Sequence, residues 1–331
     1  MTLPLSGVLK FSEINTELGR ASTSLIQIDK AENGDYATIN TCGFPRPSPT
    51  NPATVSEWYG YDHLAPCNYS TRSSSYVSYS TTYMESASFL SFDIAQSDDF
   101  SFSFWLKPKW SSTTARTSEP FLALADTSST SPRIAIQFLH ETTTPENNLF
   151  LYVEDEFGGT VIYIYNLASA ANASITGVTG SGSSKNWEAG FDWANIVVVY
   201  NGGLSQSARS QVYWNGSQLT LTSTTSTATL SGNIATTNSS LLINSGVDAV
   251  INVFGGEYLM DDMTWYYQTA LTSTNAFDIY NSGLPTDYTS LSSISTSLYH
   301  YNFENSGNLG EEYLASFDLN NNGATQSTDV P

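Results

Sequence analysis

The sequence is poor in charged residues, and above all in positive ones. Only 13% of its 331 residues are charged, and 11 Lys and Arg stand against 31 Asp and Glu, for a net charge of −20. Nucleic acids and anionic membrane surfaces bind proteins through basic faces. The shortage of Lys and Arg therefore argues against DNA, RNA and acidic lipid surfaces as partners.

Cysteines and long apolar segments are also scarce. The two cysteines, Cys42 and Cys67, are too few for a four-ligand zinc site. Residues 1–5 lack the cationic and apolar regions of a signal peptide, so free thiols are expected rather than a disulfide. No stretch approaches 18 apolar residues. We therefore expect no membrane insertion and no export by a signal peptide.

What the sequence does contain is a series of short segments typical of strands, separated by Gly, Asn and Ser. Residues 100–106 alternate apolar and polar side chains, which places Phe100, Phe102, Phe104 and Leu106 on one face. A short helix is predicted with Ser273 as its N-terminal cap, with Ala276, Phe277 and Tyr280 as its apolar stripe, and with Gly283 at its end. Further strands are predicted at residues 89–92, 121–124, 133–139, 149–153, 160–165, 196–200, 211–214, 219–222, 240–244, 263–267 and 297–302. This spacing predicts an all-β sandwich.

Two neighbouring segments carry the most specific pattern. Residues 193–202 form an apolar, β-branched run that predicts a buried strand ending in a turn. Residues 212–216 end in Asn215-Gly216, a pair that favours a type I′ hairpin turn because both of its central residues take positive φ. The two segments predict adjacent antiparallel strands.

These segments resemble the middle of laminin-G/concanavalin-A-like jelly-roll domains, with Asn195 where that family usually has His. Residues 89–108, 260–272 and 298–304 resemble the opening and closing strands of the same family, in the correct order. The resemblance implies a concanavalin-A-like (laminin-G-type) β-sandwich jelly roll over residues 69–331.

Domains of this family often hold Ca²⁺ at one rim, and the resemblance implies Asp261 or Asp262 as a ligand. Calcium requires six to eight oxygen ligands, so other carboxylates must converge on it, with Asp93 and Asp99 as expected helpers. Strand alternation places Asp261 and Asp262 on opposite faces, so at most one of them points at a given site. Calcium held by Asp261, Asp262 and Asp93 is the metal prediction. The alternative is that one carboxylate anchors a turn by hydrogen bonds.

Residues that would support catalysis are not arranged for it. Glycoside hydrolases of this fold carry Glu-x-Asp-x-Glu on one strand, whereas residues 154–156 read Glu-Asp-Glu, which puts Asp155 on the opposite face. The histidines lie far apart and outside nucleophile motifs. We therefore expect no enzyme. Sugar stacking is an alternative use of aromatic residues, and its candidates are Trp110, Trp187, Trp214 and Tyr266.

Residues 1–68 differ from the rest of the chain. Ser12 and Gly19 are suited to begin and end a short helix, and residues 24–28 predict a brief strand. Four prolines in residues 45–52 favour an extended path. This segment has little apolar material for a core of its own. We expect a short extended N-terminal arm that docks on a partner or on the sandwich.

Residues 5–19 and 55–61 together resemble a short module of tailed-bacteriophage virion proteins. The resemblance implies an attachment arm, and the residues expected to make the attachment are Phe11, Ile14, Leu18, Trp58 and Tyr59. It carries no catalytic group.

The two resemblances together imply a structural, non-enzymatic bacteriophage virion protein. Its arm would bind other virion proteins of the capsid, neck or tail. Its jelly roll would serve adhesion, decoration or recognition of host-surface glycans. Such proteins are usually symmetric oligomers, commonly trimers. The alternatives are a calcium-dependent, lectin-like carbohydrate-binding protein of a bacterium and, with less support, a glycan-cleaving enzyme on the same fold.

Overall fold

The structure, a computed structural model, describes residues 9–32, 35–37, 58, 70–73, 83–86, 92–108, 119–126, 132–140, 147–178, 193–236, 239–243, 258–281, 298–303, 318–322 and 325–327. Strands dominate this part of the chain. They are β1 (Ser70–Ser73), β2 (Tyr83–Ser86), β3 (Ile94–Ala95), β4 (Phe100–Pro108), β5 (Glu119–Asp126), β6 (Pro132–His140), β7 (Asn147–Glu154), β8 (Thr160–Asn166), β9 (Ala194–Tyr200), β10 (Ser210–Trp214), β11 (Ser217–Gln218), β12 (Ser223–Ser226), β13 (Asn233–Ala235), β14 (Ser239–Ile243), β15 (Tyr258–Tyr267), β16 (Leu298–Tyr301), β17 (Asn320–Asn322) and β18 (Thr325–Ser327). The α-helices are α1 (Phe11–Glu17), α2 (Ile28–Glu32), α3 (Ala173–Thr176) and α4 (Ser273–Tyr280).

The strands form two large antiparallel sheets and a small one, in which β3 pairs with β13. Sheet A has the order β11-β10-β9-β4-β15-β1-β18, with β16 also paired to β15, and sheet B has the order β12-β8-β7-β6-β5-β14-β2-β17. Phe102 of sheet A and Leu151 of sheet B are buried in one shared hydrophobic cluster. The predicted all-β sandwich is therefore confirmed, while its jelly-roll class stays a prediction.

The centre of sheet A is covered on both faces. Phe100, Phe102, Phe104 and Leu106 of β4 all lie in the sandwich core, as their alternation predicts. All seven residues of β9 are buried. Alternate β9 side chains enter the sandwich core, and Val197 and Val199 pack with α4 residues on the outer face. A strand that is apolar except at Asn195 suits this position because both of its faces leave water.

The predicted hairpin at Asn215-Gly216 is confirmed. Trp214 of β10 pairs with Ser217 of β11, and Asn215 and Gly216 have φ values of 49° and 74°. Gly216 has a second role, because a Cβ atom there would lie 3.1 Å from the Cα of Phe277 in α4. The glycine lets the helix backbone approach the hairpin closely.

Other boundaries differ from the prediction. The segment predicted as a strand at 219–222 lies between β11 and β12 instead. Helix α4 is capped by Thr272, whose hydroxyl accepts the backbone N–H of Asn275, and ends at Asn281 in the left-handed conformation. Its buried face is formed by Ala276 and Ile279, whereas Phe277 is 60% exposed. The predicted apolar stripe was wrong at Phe277 because contact with the hairpin and sheet A sets which side of the helix is buried.

In the N-terminal segment, α1 ends as predicted. Gly19 has φ +68°, and the backbone N–H of Arg20 donates to the carbonyl of Asn15 at 2.7 Å. The predicted strand at 24–28 is wrong. The Asn15 and Arg20 side chains donate to the carbonyls of Ser24 and Leu25, and these bonds take the place of pairing with another strand. The proline-rich residues 44–52 and both cysteines lie outside the described residues.

The turn between β7 and β8 is fastened by a buried carboxylate. Asp155 accepts backbone N–H groups from Phe157 and Gly159 within the turn, at 3.0 and 2.8 Å. It also accepts those of Ser231 and Gly232, at 2.8 and 3.3 Å. Burial raises the pKa of Asp155, but these four donors outweigh burial and lower the pKa below its usual value of 3.8. One side chain thereby joins the turn to the segment that leads into β13.

We predict that Asp155→Asn lowers the free energy of unfolding by roughly 2–4 kcal/mol, because the amide turns an NH₂ group toward some of the buried donors. Since the folded-state pKa is depressed, the carboxylate stabilises the fold fully above pH 3.8 and loses this effect as pH falls through the folded pKa. Urea unfolding at a series of pH values measures the difference in free energy of unfolding between the wild type and Asp155→Asn. This difference should become smaller only at acidic pH. Asp35→Asn, at an exposed position, is the matched control. Equal stability of Asp155→Asn and wild type at neutral pH would contradict this role.

Candidate functional site

The candidate site lies on the outer face of sheet A, opposite the sandwich core. Asn195, Trp105 and Asp261 are cross-strand neighbours on β9, β4 and β15. Ser103 and Thr264 pair in the adjacent row. The five side chains are at most 2% exposed. We call these five residues, with Tyr266, the outer-face polar cluster.

A β-bulge in β15 shapes this face. Asp261 pairs with Trp105 and Thr264 pairs with Ser103, so β15 has one residue more than β4 in the interval. The extra residue is accommodated at Asp262, whose φ is +46°. Met260 and Met263 on either side both enter the sandwich core. The two aspartates consequently share the outer face, and the prediction that they face opposite ways was wrong because alternation does not continue through a bulge.

Both aspartates are tied into the protein. The Asp262 carboxylate lies 3.2 Å from Nε2 of His300 on β16, and the two side chains are 8% and 3% exposed. The Asp261 carboxylate accepts the backbone N–H of Asp262 at 2.9 Å. These contacts match the alternative in which a carboxylate stabilises local backbone geometry.

The third predicted metal residue lies in a different setting. Asp93 is exposed, and its carboxylate accepts the side-chain amide of Asn233 at 3.4 Å. Asp99, the other expected helper, accepts the backbone N–H of Gly202 at 2.9 Å. Among the described residues no three His, Cys, Asp or Glu side chains gather into a group that could hold a metal ion. Calcium binding by Asp261, Asp262 and Asp93 stays a prediction.

The outer-face polar cluster holds buried polar atoms that no other described group satisfies. They are Ser103 Oγ, Trp105 Nε1, Asn195 Oδ1 and Nδ2, Thr264 Oγ1 and the Tyr266 hydroxyl. A buried polar group left without a hydrogen bond costs about 1–3 kcal/mol, and a whole domain is stable by only about 5–15 kcal/mol. Six such atoms together would consume most of that stability.

Tyr266 shows how close these groups are. Burial raises the pKa of its phenol, the neighbouring Ser103 and Thr264 hydroxyls lower it in part, and the negative charge of Asp262 raises it further. Hydrogen bonding with the Ser103 and Thr264 hydroxyls is what lowers the Tyr266 pKa, so the three hydroxyls lie near one another, although their geometry departs from that of regular hydrogen bonds. Their oxygen atoms line a compact polar patch in which Tyr266 stays protonated at neutral pH.

The carboxylates nearest to a glycosidase signature have structural partners. Glu154 pairs with Arg133 at 3.0 Å and accepts the Tyr152 hydroxyl. Asp155 fastens the turn, and Glu156 accepts the backbone N–H of Asn233 at 3.1 Å. Their arrangement accounts for the folding of the β7–β8 hairpin.

The attachment residues divide into buried and exposed groups. Ile14, Leu18 and Trp58 are buried with Ala31 in a small hydrophobic cluster, which we call the arm cluster. Phe11 is 51% exposed, and Tyr59 lies outside the described residues. The expectation that this segment has too little apolar material for a core is corrected by this cluster, in which Trp58 is fully buried.

The sugar-stacking candidates also divide. Trp214 is buried in the sandwich core, Tyr266 belongs to the outer-face polar cluster, and Trp110 and Trp187 lie outside the described residues. Sequence reasoning missed Ser103, Trp105 and Thr264, because a polar residue in an alternating strand is ordinarily expected to face water. The available signal was Asn195, the departure from the family's usual His.

Comparisons with known proteins concern the fold alone. No family model and no curated protein matches the chain. Similar solved structures include the binding domain of Paraclostridial Mosquitocidal Protein 1 (19% identity, 57% of this chain and 38% of that one, TM-score 0.37). They also include the receptor binding domain of botulinum neurotoxin mosaic serotype C/D (13% identity, 62% and 43%, TM-score 0.36). The match thus spans about two fifths of each structure. No helix in the described ranges has the length and apolar character needed to cross a membrane.

We predict that Asp262 and His300 are energetically coupled. A double-mutant cycle with Asp262→Asn and His300→Gln, followed by urea unfolding, should give a coupling energy of roughly 1–3 kcal/mol, because the contact is buried. The control cycle combines His300→Gln with Asp93→Asn, which should be additive within about 0.5 kcal/mol. Additivity in the Asp262 cycle as well would show that the contact does not stabilise the fold.

Proposed function

We propose that this chain is a non-enzymatic bacteriophage virion protein. Residues 1–68 bind other virion proteins of the capsid, neck or tail, and residues 69–331 are presented for adhesion, decoration or recognition of host-surface glycans. The observation that carries the proposal is the arm cluster, which gives the segment resembling a virion module a hydrophobic core of its own.

The arm buries some apolar residues and presents others. Ile14, Leu18 and Trp58 lie inside the arm cluster, while Phe11 is 51% and Leu25 is 93% exposed. Large apolar side chains exposed beside a folded core are typical anchors for a protein partner. We therefore assign the contact with the virion to Phe11 and Leu25. The buried residues of the arm cluster maintain the local structure that exposes these two side chains.

The sandwich is suited to a passive role. Glu154, Asp155 and Glu156 are each engaged in contacts that fasten the β7–β8 hairpin. The net charge of −20 opposes close association of free copies. Attachment through the arms to one particle would bring several copies together, and weak contacts of each sandwich with a host surface would then add through avidity. An oligomer, such as a trimer, fits this arrangement.

We predict that Phe11→Ser reduces incorporation into particles of the bacteriophage that encodes the chain by about tenfold or more, because it removes a contact anchor without touching the arm cluster. The variant is supplied during infection in place of the wild-type chain, and purified particles are quantified by mass spectrometry.

The matched control is Phe277→Ser, which removes a phenylalanine of similar exposure from the sandwich and should leave incorporation unchanged. Circular dichroism and melting of both purified variants establish that they are folded. Wild-type incorporation of Phe11→Ser, or absence of the wild-type chain from the particles, would overturn the proposed function.

A further inference from the structure

We propose that the outer-face polar cluster is a binding site for neutral hydroxyl groups, supplied either by ordered water molecules or by the ring of a sugar. Within the cluster, the site is formed by Ser103, Trp105, Asn195, Thr264 and Tyr266 on three neighbouring strands of sheet A, with Asp261 beside them. The proposal concerns a different part of the molecule from the arm.

Geometry brings these side chains together. Asn195 pairs with Trp105 across β9 and β4, and Thr264 pairs with Ser103 across β15 and β4. All of them face away from the sandwich core, because their strand neighbours Phe102, Phe104, Ile196 and Trp265 fill it. The side chains thus form one continuous patch rather than isolated defects.

Because the patch is buried, its polar atoms require hydrogen-bond partners. Each of these residues is at most 2% exposed, and each holds a polar atom that no described group satisfies. Buried polar atoms in native proteins are almost always hydrogen-bonded to protein, to ordered water or to a ligand. A partner beyond the described groups therefore completes this face.

The mixture of atoms defines the chemistry of that partner. Trp105 Nε1 and the amide nitrogen of Asn195 only donate, the amide oxygen of Asn195 only accepts, and the three hydroxyls do both. Among the described residues no three His, Cys, Asp or Glu side chains gather here to hold a metal ion, and an anion is opposed by the nearby carboxylates of Asp261 and Asp262. A neutral O–H group both donates and accepts, and therefore matches every atom.

The two sources of hydroxyl groups have different consequences. Ordered water would make the site a structural part of the sandwich, independent of the proposed function. A sugar would make it a recognition site, which rests on the proposed adhesion role and requires α4, whose Tyr280 ring lies 6.0 Å from that of Trp105, to admit the ligand.

The first experiment measures melting of two variants, Thr264→Val and Asn195→Leu. If hydroxyl groups from outside the chain satisfy these residues, each variant loses those bonds and melts lower than the wild type by about 2–4 °C. If nothing binds there, replacing a buried unsatisfied group by an apolar one of similar shape leaves the melting temperature unchanged or raises it, and the proposal is overturned. Thr225→Val makes the same change at an exposed position of β12 and should have no effect.

The second experiment distinguishes the sources. Native mass spectrometry of the purified wild-type chain detects a retained sugar, and thermal shift with added glucose, galactose and N-acetylglucosamine detects a readily exchanged one. Ordered water, the other source, is detected by nuclear Overhauser effects between the amide protons of β4 and long-lived water molecules. The site is supported by a sugar signal that Asn195→Leu abolishes, or by contacts with long-lived water. The absence of both signals overturns the proposal. Because the incorporation assay depends on Phe11, failure here and failure of the virion role are separate results.

Discussion

Burial of both faces of the central strands of sheet A is the constraint on which the rest of the structure depends. On the inner face, alternate residues of β4 and β9 join sheet B in one hydrophobic core. On the outer face, Val197 and Val199 pack with Ala276 and Ile279 of α4. Because neither face of these strands remains in water, polar residues such as Ser103 and Asn195 lie in the interior. The outer-face polar cluster is a direct consequence of this second layer.

The buried acidic residues also serve the structure of the sheets. A net charge of −20 favours solubility in general, but the carboxylates that the structure buries are used locally. Asp155 collects four backbone donors at a turn, and Asp262 meets His300 beside the bulge. Each satisfies a place where regular strand geometry fails. Carboxylates that a sequence motif associates with metal or catalysis are here understood first as elements of the fold.

Much of the fold was predictable from the sequence because local rules apply directly. Alternation in residues 100–106 located the core face of β4, and Asn215-Gly216 located the hairpin through its positive φ values. The site was less predictable. The bulge at Asp262 shifts the alternation by one residue, and nothing in the sequence marks where the partner strand lacks a residue. The ring of Trp105 lies 6.0 Å from that of Tyr280 in α4, a residue far along the chain that a local pattern cannot register.

The arm shows the opposite relation between sequence and structure. Its helix end at Gly19 was predictable, but the arm cluster was not, since its four buried residues come from three separate segments. The cluster has no residue in common with the sandwich core. A small cluster of this size contributes far less apolar burial than the sandwich, so the two are expected to open at different free energies.

Native-state hydrogen exchange on the intact chain tests this account most directly. Amides in the centres of β4 and β9 should exchange only through global unfolding, because both faces of these strands are sealed. Amides of α1 beside the arm cluster, such as that of Leu18, should exchange through an opening reaction of distinctly lower free energy. A single free energy shared by α1, β4 and β9 would contradict the separation of arm and sandwich, and rapid exchange in β9 would contradict the sealed sheet.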